Sequence, residues 1–324
     1  MRNKQKLHFW LGMGLAGLLV LAAVIFLRPG RERIPIDFAF PLDGERLLVA
    51  GVSGDDTDTK RWSSIGVLEA DGTMRVVVEQ DSAIRVLGVA GGALWVDALE
   101  PGLHARALPG LDVVAAVSDA VASHRALSTR RQVLGLAEDG VVVSGSDSKR
   151  YRVAVDGTIS EGKGIAAPVG GMVAQPSSGE APVVTEARAR TMLEQAEGIT
   201  RPRLVMNHGR SGPLTLESPR SVLALSIEPD HGGSVELLHR IADGGSVVWS
   251  TSVVDLLDAV PTSSQHAQVV WVGELSGTLT ALVQLRDFAR SDSDADQGRS
   301  DQFLVTVDPT SGARSDARPV VTAG

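Results

Sequence analysis

The chain has 324 residues, 43% of them apolar and 22% charged, the balance of a sequence that buries a core rather than of a disordered one. It contains no cysteine, which excludes disulfides, thiol nucleophiles and cysteine-ligated zinc. The net charge is −8 but unevenly placed: residues 1–33 hold six basic side chains and one acid, leaving 25 basic against 38 acidic residues (−13) in the remainder, so nucleic acid is not an expected partner for a body that repels phosphate backbones.

Residues 7–27 read LHFWLGMGLAGLLVLAAVIFL, 21 positions from Leu7 to Leu27 without Asp, Glu, Lys or Arg. As a helix they span roughly 31 Å, against a bilayer hydrocarbon core of about 30 Å. A cleaved signal peptide has a shorter apolar stretch and a small-x-small cleavage site. Here the stretch runs through Val24-Ile25-Phe26-Leu27 directly into Arg28-Pro29-Gly30, which favours a retained anchor. Three basic residues precede the segment and three arginines follow it, so the positive-inside count nearly ties. The commoner arrangement leaves residues 1–6 as a short cytoplasmic tail. The expected organisation is therefore that tail, a transmembrane helix at 7–27, a basic linker at 28–36, and one extracytoplasmic domain at 37–324 on the bacterial inner membrane. Gly12 and Ala16 stand at small-xxx-small spacing, a spacing that arises readily by chance in a Gly/Ala-rich anchor.

After the linker come short runs rich in Val and Leu, bounded by turn residues. Strands are predicted at 46–52, 64–69, 74–79, 93–98, 103–108, 140–144 and 151–155. A second group falls at 203–206, 221–227, 235–240, 246–250, 268–272, 279–285 and 303–307. Asp-Gly turns mark several hairpins: Asp71-Gly72, Asp156-Gly157 and Asp243-Gly244, with Asp308-Pro-Thr-Ser-Gly312 as a longer variant. Two segments, 111–127 and 185–196, have helical composition, and 170–182 is rich in Gly, Ser and Pro and reads as an exposed loop.

The sequence also repeats. Val86-Leu-Gly-Val-Ala90 recurs as Val133-Leu-Gly-Leu-Ala137, 47 positions on, and each copy is followed by two further strands. Four-stranded blades recur at about this period in β-propellers. The expected fold is thus all-β: a β-propeller of about six to seven four-stranded blades, preceded by one N-terminal transmembrane helix. A pair of β-sandwich domains would also give many short strands, but the repeat and the absence of a mid-chain linker favour the propeller.

The strand–Asp-x-Gly–strand hairpins, with Trp249 in Ser-Val-Val-Trp-Ser, resemble the blades of quinoprotein-like (pyrroloquinoline-quinone-repeat) β-propeller proteins. The resemblance touches three or four of the expected blades. It implies an envelope β-propeller that is either a non-enzymatic scaffold or a quinone-dependent oxidoreductase.

Motifs that carry chemistry are few. Asp292, Asp294 and Asp296 resemble the start of a calcium loop. However, Gln297 separates the third Asp from Gly298, and Phe303 stands where a bidentate Glu belongs, so the segment also reads as a solvated hairpin tip. Asp55, Asp56 and Asp58 form a second acidic cluster with less geometry. Calcium at 292–296 is the one metal expectation, and no cofactor is predicted. Ser146-Asp-Ser-Lys149 matches Ser-x-x-Lys, but in a hairpin loop and without the companion motifs of the serine–lysine acyl-transfer enzymes. The seven histidines (8, 104, 124, 208, 231, 239, 266) are dispersed, and no two stand at metal-ligand spacing. Trp95, Trp249 and Trp271 lie inside strand runs and read as packing residues, with stacking on a quinone or sugar as the sharper alternative. No catalytic residue is assigned. The expected function is a membrane-anchored binding or scaffold module with a protein partner; the alternative is a quinoprotein-like oxidoreductase or another enzyme with its site in a central channel.

Overall fold

Val, Leu and Ile alternate with small and polar residues through most of the body, and these runs form strands in a computed structural model. It describes residues 36–53, 62–80, 84–98, 102–128, 132–162, 184–206, 213–217, 220–230, 233–257, 265–287 and 300–323. The expected tail and membrane segment lie outside these residues, as does the linker up to residue 35. Among the described residues no helix is long and apolar enough to cross a membrane.

Five antiparallel sheets follow one another along the described chain. Sheet I holds β1 (Phe38–Pro41), β2 (Arg46–Ser53), β3 (Trp62–Glu69) and β4 (Thr73–Gln80). Sheet II holds β5 (Ile84–Ala90), β6 (Ala93–Ala98), β7 (Leu103–Ala107) and β8 (Asp112–Val113). Sheet III holds β9 (Gln132–Ala137), β10 (Gly140–Ser144), β11 (Arg150–Ala154) and β12 (Ile159–Glu161). In sheet IV, β13 (Arg203–Leu204) and β14 (Thr215–Glu217) both pair with β15 (Arg220–Asp230), which leads to β16 (Gly233–Ala242) and β17 (Val247–Ser252). Sheet V holds β18 (Gln265–Leu275), β19 (Thr278–Asp287), β20 (Ser300–Val307) and β21 (Arg314–Pro319). The last strand, β22 (Val321–Thr322), leaves sheet V and pairs in parallel with β4 of sheet I.

The fold is all-β, built from repeated four-stranded sheets, an arrangement compatible with a propeller-like architecture. The expected six or seven units are corrected to five among the described residues. The reason is consumption of chain. In sheet IV β15 and β16, and in sheet V β18 and β19, run to 10 or 11 residues. The helices α1 (Ala115–Ser123), α2 (Glu186–Gln195) and α3 (Val253–Leu257) take up further length between sheets. The two copies of the Val-Leu-Gly motif are the first strands of sheets II and III. Each carries a β-bulge, at Leu87 and Leu134, where two residues oppose one across the hairpin. Val270 bulges the first strand of sheet V in the same way.

The sheets bury their faces on one another. Leu48, Ile65 and Val67 of sheet I meet Ile84, Leu94 and Val96 of sheet II. Leu87, Trp95 and Leu103 meet Leu136, Val141 and Val153 of sheet III, with Val117 and Val121 of α1 filling the same cluster. Leu223, Leu238 and Trp249 of sheet IV meet Leu279, Val283 and Val305 of sheet V. Trp271, Leu282 and Leu304 of sheet V meet Leu47, Val49 and Leu68 of sheet I, so the last sheet packs on the first. The remaining face of sheet IV is different: Val222, Ala224 and Ile241 pack under Ala189, Met192 and Leu193 of α2. That helix starts at Thr185, whose side chain accepts the Arg188 backbone N–H.

The Asp-Gly turns lock these boundaries. In sheets I, III, IV and V they lie between the third and fourth strands, and a Cβ on one glycine of each turn would strike the preceding unit. At Gly72 it would lie 2.7 Å from the Pro319 carbonyl of β21, and at Gly157 2.7 Å from the Ala116 carbonyl of α1. At Gly245 it would lie 2.6 Å from Gln195 of α2, and at Gly312 2.6 Å from the Trp249 ring of β17. The aspartates hold the turns from within. Asp71 accepts the Thr73 N–H at 2.8 Å, Asp156 that of Thr158 at 2.8 Å, and Asp308 that of Thr310 at 2.7 Å. These N–H donors hold all three carboxyls below the usual carboxylate range.

The sheet IV–V lock is the most elaborate. The Pro309 carbonyl accepts from Trp249 Nε1 at 2.9 Å and from the buried Arg240 guanidinium at 2.6 Å, and Thr251 donates to the Gly312 carbonyl at 2.8 Å. Gly312 (φ +73°) meets Trp249, whereas Gly277 (φ +71°) has nothing within 4 Å of the same added atom. Gly277→Ala therefore bears only the backbone cost, about 1 kcal/mol. Gly312→Ala adds overlap with the indole and is expected to cost about 2–4 kcal/mol. Urea denaturation of the two variants checks this; equal losses would show that the turn does not bear on Trp249.

Candidate functional site

In each meander the turns joining first to second and third to fourth strands fall at one end. The connections joining second to third strands, and sheet to sheet, fall at the other. The first end is closed by the tight Asp-Gly locks. At the second end, between sheets I and II, lies a cavity of about 300 Å³ lined by Asp37, Phe38, Gly51, Ser64, Ile84 and Arg85, among others. Its place follows from the chain path: Asp37 immediately precedes β1, which Phe38 opens, Gly51 stands near the end of β2, Ser64 near the start of β3, and Ile84 and Arg85 open β5. Its inner wall is fixed by one backbone bond, the Asp37 N–H donating to the Ala50 carbonyl at 2.9 Å, and one side-chain bond, the Ile84 N–H donating to Ser63 Oγ at 2.8 Å. Ala50, Gly51, Ser64 and Ile84 are buried, while Asp37 and Arg85 are exposed. The result is an apolar recess with two charged groups of opposite sign at its lining, a common composition for binding pockets.

A second constellation lies on the α2-facing side of sheet IV. Cross-strand register places His239 opposite Ala224 on β15 and opposite Ser250 on β17. The buried imidazole meets Ser226 Oγ through Nε2 at 2.8 Å and Ser250 Oγ through Nδ1 at 2.7 Å. Ser226 Oγ donates to Glu228 Oε1 at 3.3 Å, and the same oxygen accepts the Thr200 N–H at 2.9 Å. That N–H is the main reason the Glu228 carboxyl sits below its ordinary range. Burial pushes the His239 pKa down, opposed by the charge of Glu228, so the ring is neutral at neutral pH. No spacing in the sequence marks Ser226, His239 and Ser250 as a group; only the register of three strands joins them. Their one sequence signal is the change along one face of β15 from apolar Val222 and Ala224 to polar Ser226 and Glu228.

On the opposite face of β16, Glu236 is 3% exposed. It accepts from Arg203 at 2.5 Å and from the Val269 N–H of sheet V at 2.5 Å. This carboxylate ties two sheets together and has its acceptor capacity engaged structurally.

The residues singled out in the sequence are placed as follows. Asp292, Asp294 and Asp296, with Asp55, Asp56 and Asp58, lie outside the described residues. Among the described residues no group of three His, Asp or Glu side chains is disposed to hold a metal ion. His8, His208 and His231 also lie outside them. His104 donates through Nδ1 to the Gly102 carbonyl at 2.8 Å, and burial lowers its pKa. His124 packs edge-on against Tyr151 with ring centroids 4.7 Å apart. Trp95, Trp249 and Trp271 are at most 8% exposed and sit in the II–III, IV–V and V–I clusters respectively, which makes each a packing residue.

Ser146 and Lys149 do not form a nucleophile–base pair. Lys149 bonds Glu161 at 3.0 Å, and the intervening Asp147 accepts the Tyr151 hydroxyl at 2.5 Å. That hydrogen bond, with burial and the Asp147 charge adding to it, pushes the Tyr151 pKa up to about 12. The chain has one tyrosine, so an absorbance titration in the near ultraviolet reports this group alone. The expected midpoint is near 12. Asp147→Asn removes the charged acceptor and is expected to return the midpoint toward the ordinary value of about 10. An unshifted midpoint in the unaltered protein would contradict the geometry.

No protein family matches the chain, and no curated protein matches it. Among solved structures, a mannose phosphorylase from Leishmania mexicana in complex with phosphate aligns with 89% of this chain and 73% of its own, at 8% identity and a TM-score of 0.26. A likeness of that size carries no argument about fold or activity.

Proposed function

We propose that the body of this protein is a five-bladed β-propeller, held to the bacterial inner membrane by a helix at residues 7–27 with the propeller outside the cytoplasm, and that it acts as a binding or scaffold module for a protein partner. The observation that carries this reading is the division of labour between the two ends of the sheets. At one end, turns lock sheets I, III, IV and V to the unit before them; the other end holds the Asp37–Arg85 cavity and the longer connections. Loops at one end of a rigid scaffold are where binding residues concentrate. The packing of sheet V on sheet I, and the parallel pairing of β22 with β4, support closure of the sheets into a ring. The anchor reading rests on the length and composition of 7–27.

Arg85 and Asp37 are exposed, so exchanging their charges is expected to change stability by only about 0.5 kcal/mol. The full chain, cross-linked in membranes and purified, is expected to retain its partner. Arg85→Glu combined with Asp37→Lys is expected to lower recovery at least about tenfold, equivalent to about 1.4 kcal/mol. Glu138→Lys, in the β9–β10 turn at the locked end, serves as the control and is expected to leave recovery unchanged. Equal recovery from all three proteins would remove the cavity end as the binding face.

A further inference from the structure

We propose that Ser250 is an activated nucleophile, with His239 as its general base, and that it is acylated by esters of short aliphatic acids. This site is separate from the cavity between sheets I and II and does not depend on the binding reading.

The proton positions follow from the network. An ionised carboxylate only accepts hydrogen bonds. Ser226 donates its one proton to Glu228 Oε1, 3.3 Å away. With that proton given to Glu228, the contact between Ser226 Oγ and His239 Nε2 at 2.8 Å is assigned with the ring proton on Nε2. A neutral imidazole carries one ring proton, so Nδ1 is the acceptor. Facing Nδ1 at 2.7 Å is Ser250 Oγ, which must therefore donate its own proton. The order Glu228, Ser226, His239, Ser250 thus polarises in one direction and ends on a hydroxyl aimed at a basic nitrogen. A nucleophile, a base and a third group that orients the base are the elements of serine catalysis.

Access distinguishes the two serines. Ser226 and His239 are each 2% exposed, whereas Ser250 is exposed on β17 at the border of sheet IV. The chemistry is set up from the covered side and delivered on the open one. Register also places Val247 opposite Ile241, two positions from His239 on β16 and so on the same face, with Val248 bulged beside it. Val247 and Val248 are 38% and 39% exposed. This small apolar shelf next to the hydroxyl suits a short aliphatic acyl chain.

In the step itself the Ser250 O–H bond breaks, the proton passes to His239 Nδ1, and Oγ bonds to the carbonyl carbon of the ester. The ester C–O bond then breaks, and the alcohol leaves with the proton returned from Nδ1. Water, deprotonated by the same nitrogen, releases the acid and restores Ser250. Ser226 and Glu228 touch neither substrate nor nucleophile and are positioning residues that fix the tautomer of His239.

The test uses the full chain in detergent with a fluorophosphonate as the probe and peptide mapping as the readout, followed by hydrolysis of p-nitrophenyl butyrate. Ser250 is expected to be labelled at least about 100-fold faster than the exposed Ser128 or Ser311, the scale of general-base assistance. The rate is expected to be flat at neutral pH and to fall only in acid as His239 gains a proton, because burial holds its pKa below the ordinary value. Glu228→Gln keeps the shape but removes the ionised acceptor and is expected to slow labelling at least about tenfold, with the acid limb moved. Ser226→Thr, which retains the hydroxyl, is expected to restore most of the rate lost in Ser226→Ala. Should His239 variants fail to fold, Ser250→Ala and the pH profile decide alone. Labelling of Ser250 no faster than that of Ser311, or a rate indifferent to Glu228→Gln and to pH, would overturn the proposal.

Discussion

A sheet of four strands with apolar residues on both faces is not stable alone in water: each face must be covered, at roughly 25 cal/mol for every Å² of apolar surface removed from solvent. In this chain the covering is supplied by the neighbouring sheet. Orientation between neighbours is then fixed by a repeated polar device, the Asp-Gly turn between third and fourth strands seated against the preceding unit. Apolar faces alone would slide, because burial is non-directional. The turn gives direction through hydrogen bonds to backbone carbonyls, as where Arg240 and Trp249 converge on Pro309 and where Arg318 of sheet V reaches the Ala70 carbonyl of sheet I.

Two places depart from this pattern, and both are informative. Sheet II joins its last strands through Leu108-Pro109-Gly110 rather than through Asp-Gly, and its boundary with sheet III is held at the other hairpin, where Gly91 donates to the Glu138 carbonyl at 3.1 Å. Sheet IV seats its turn on α2, as sheet III seats its own on α1, but one whole face of sheet IV also packs under its helix, and that face carries the Ser226–His239–Ser250 array among its apolar residues. Polar groups survive under cover when each has a partner, and here the partners form a chain leading to the surface. The face of sheet IV that packs under a helix is thus the face that carries the proposed reactive side chains.

Much of the fold was legible in the sequence because strand runs and turn residues are local signals. Runs such as 93–98 and 140–144 are strands at those bounds, and the Val-Leu-Gly repeat marks the first strands of two adjacent sheets. The short outer strands β8, β12 and β22 carry exposed or half-buried side chains with little alternation, so periodicity has nothing to report there. β1 and β14 were missed for want of length, β1 having one buried residue of four. The expected six or seven units exceed the five found among the described residues because a fixed period ignores the long strands of sheets IV and V and the helical excursions. The site was less legible still. Arg85 and Asp37 line one cavity because Asp37 precedes the first strand of sheet I and Arg85 stands near the start of the first strand of sheet II. His239 lies 13 residues from Ser226 and 11 from Ser250, separations that mean nothing until the register is known.

If each sheet is covered by its neighbours, the chain must return to its start, and the decisive junction is β22 on β4. Val321 and Thr73 are direct Cα partners across that parallel pair, and the absence of native cysteine leaves Thr73→Cys/Val321→Cys as the only thiol pair in the protein. Under mild oxidation of the folded protein the two are expected to form a disulfide quantitatively. By closing a loop of roughly 250 residues, that bond is expected to raise the unfolding free energy by about 5.5 kcal/mol on the chain-entropy estimate. Thiols that stay free in the native protein, or that join only after unfolding, would contradict a closed arrangement of the five sheets.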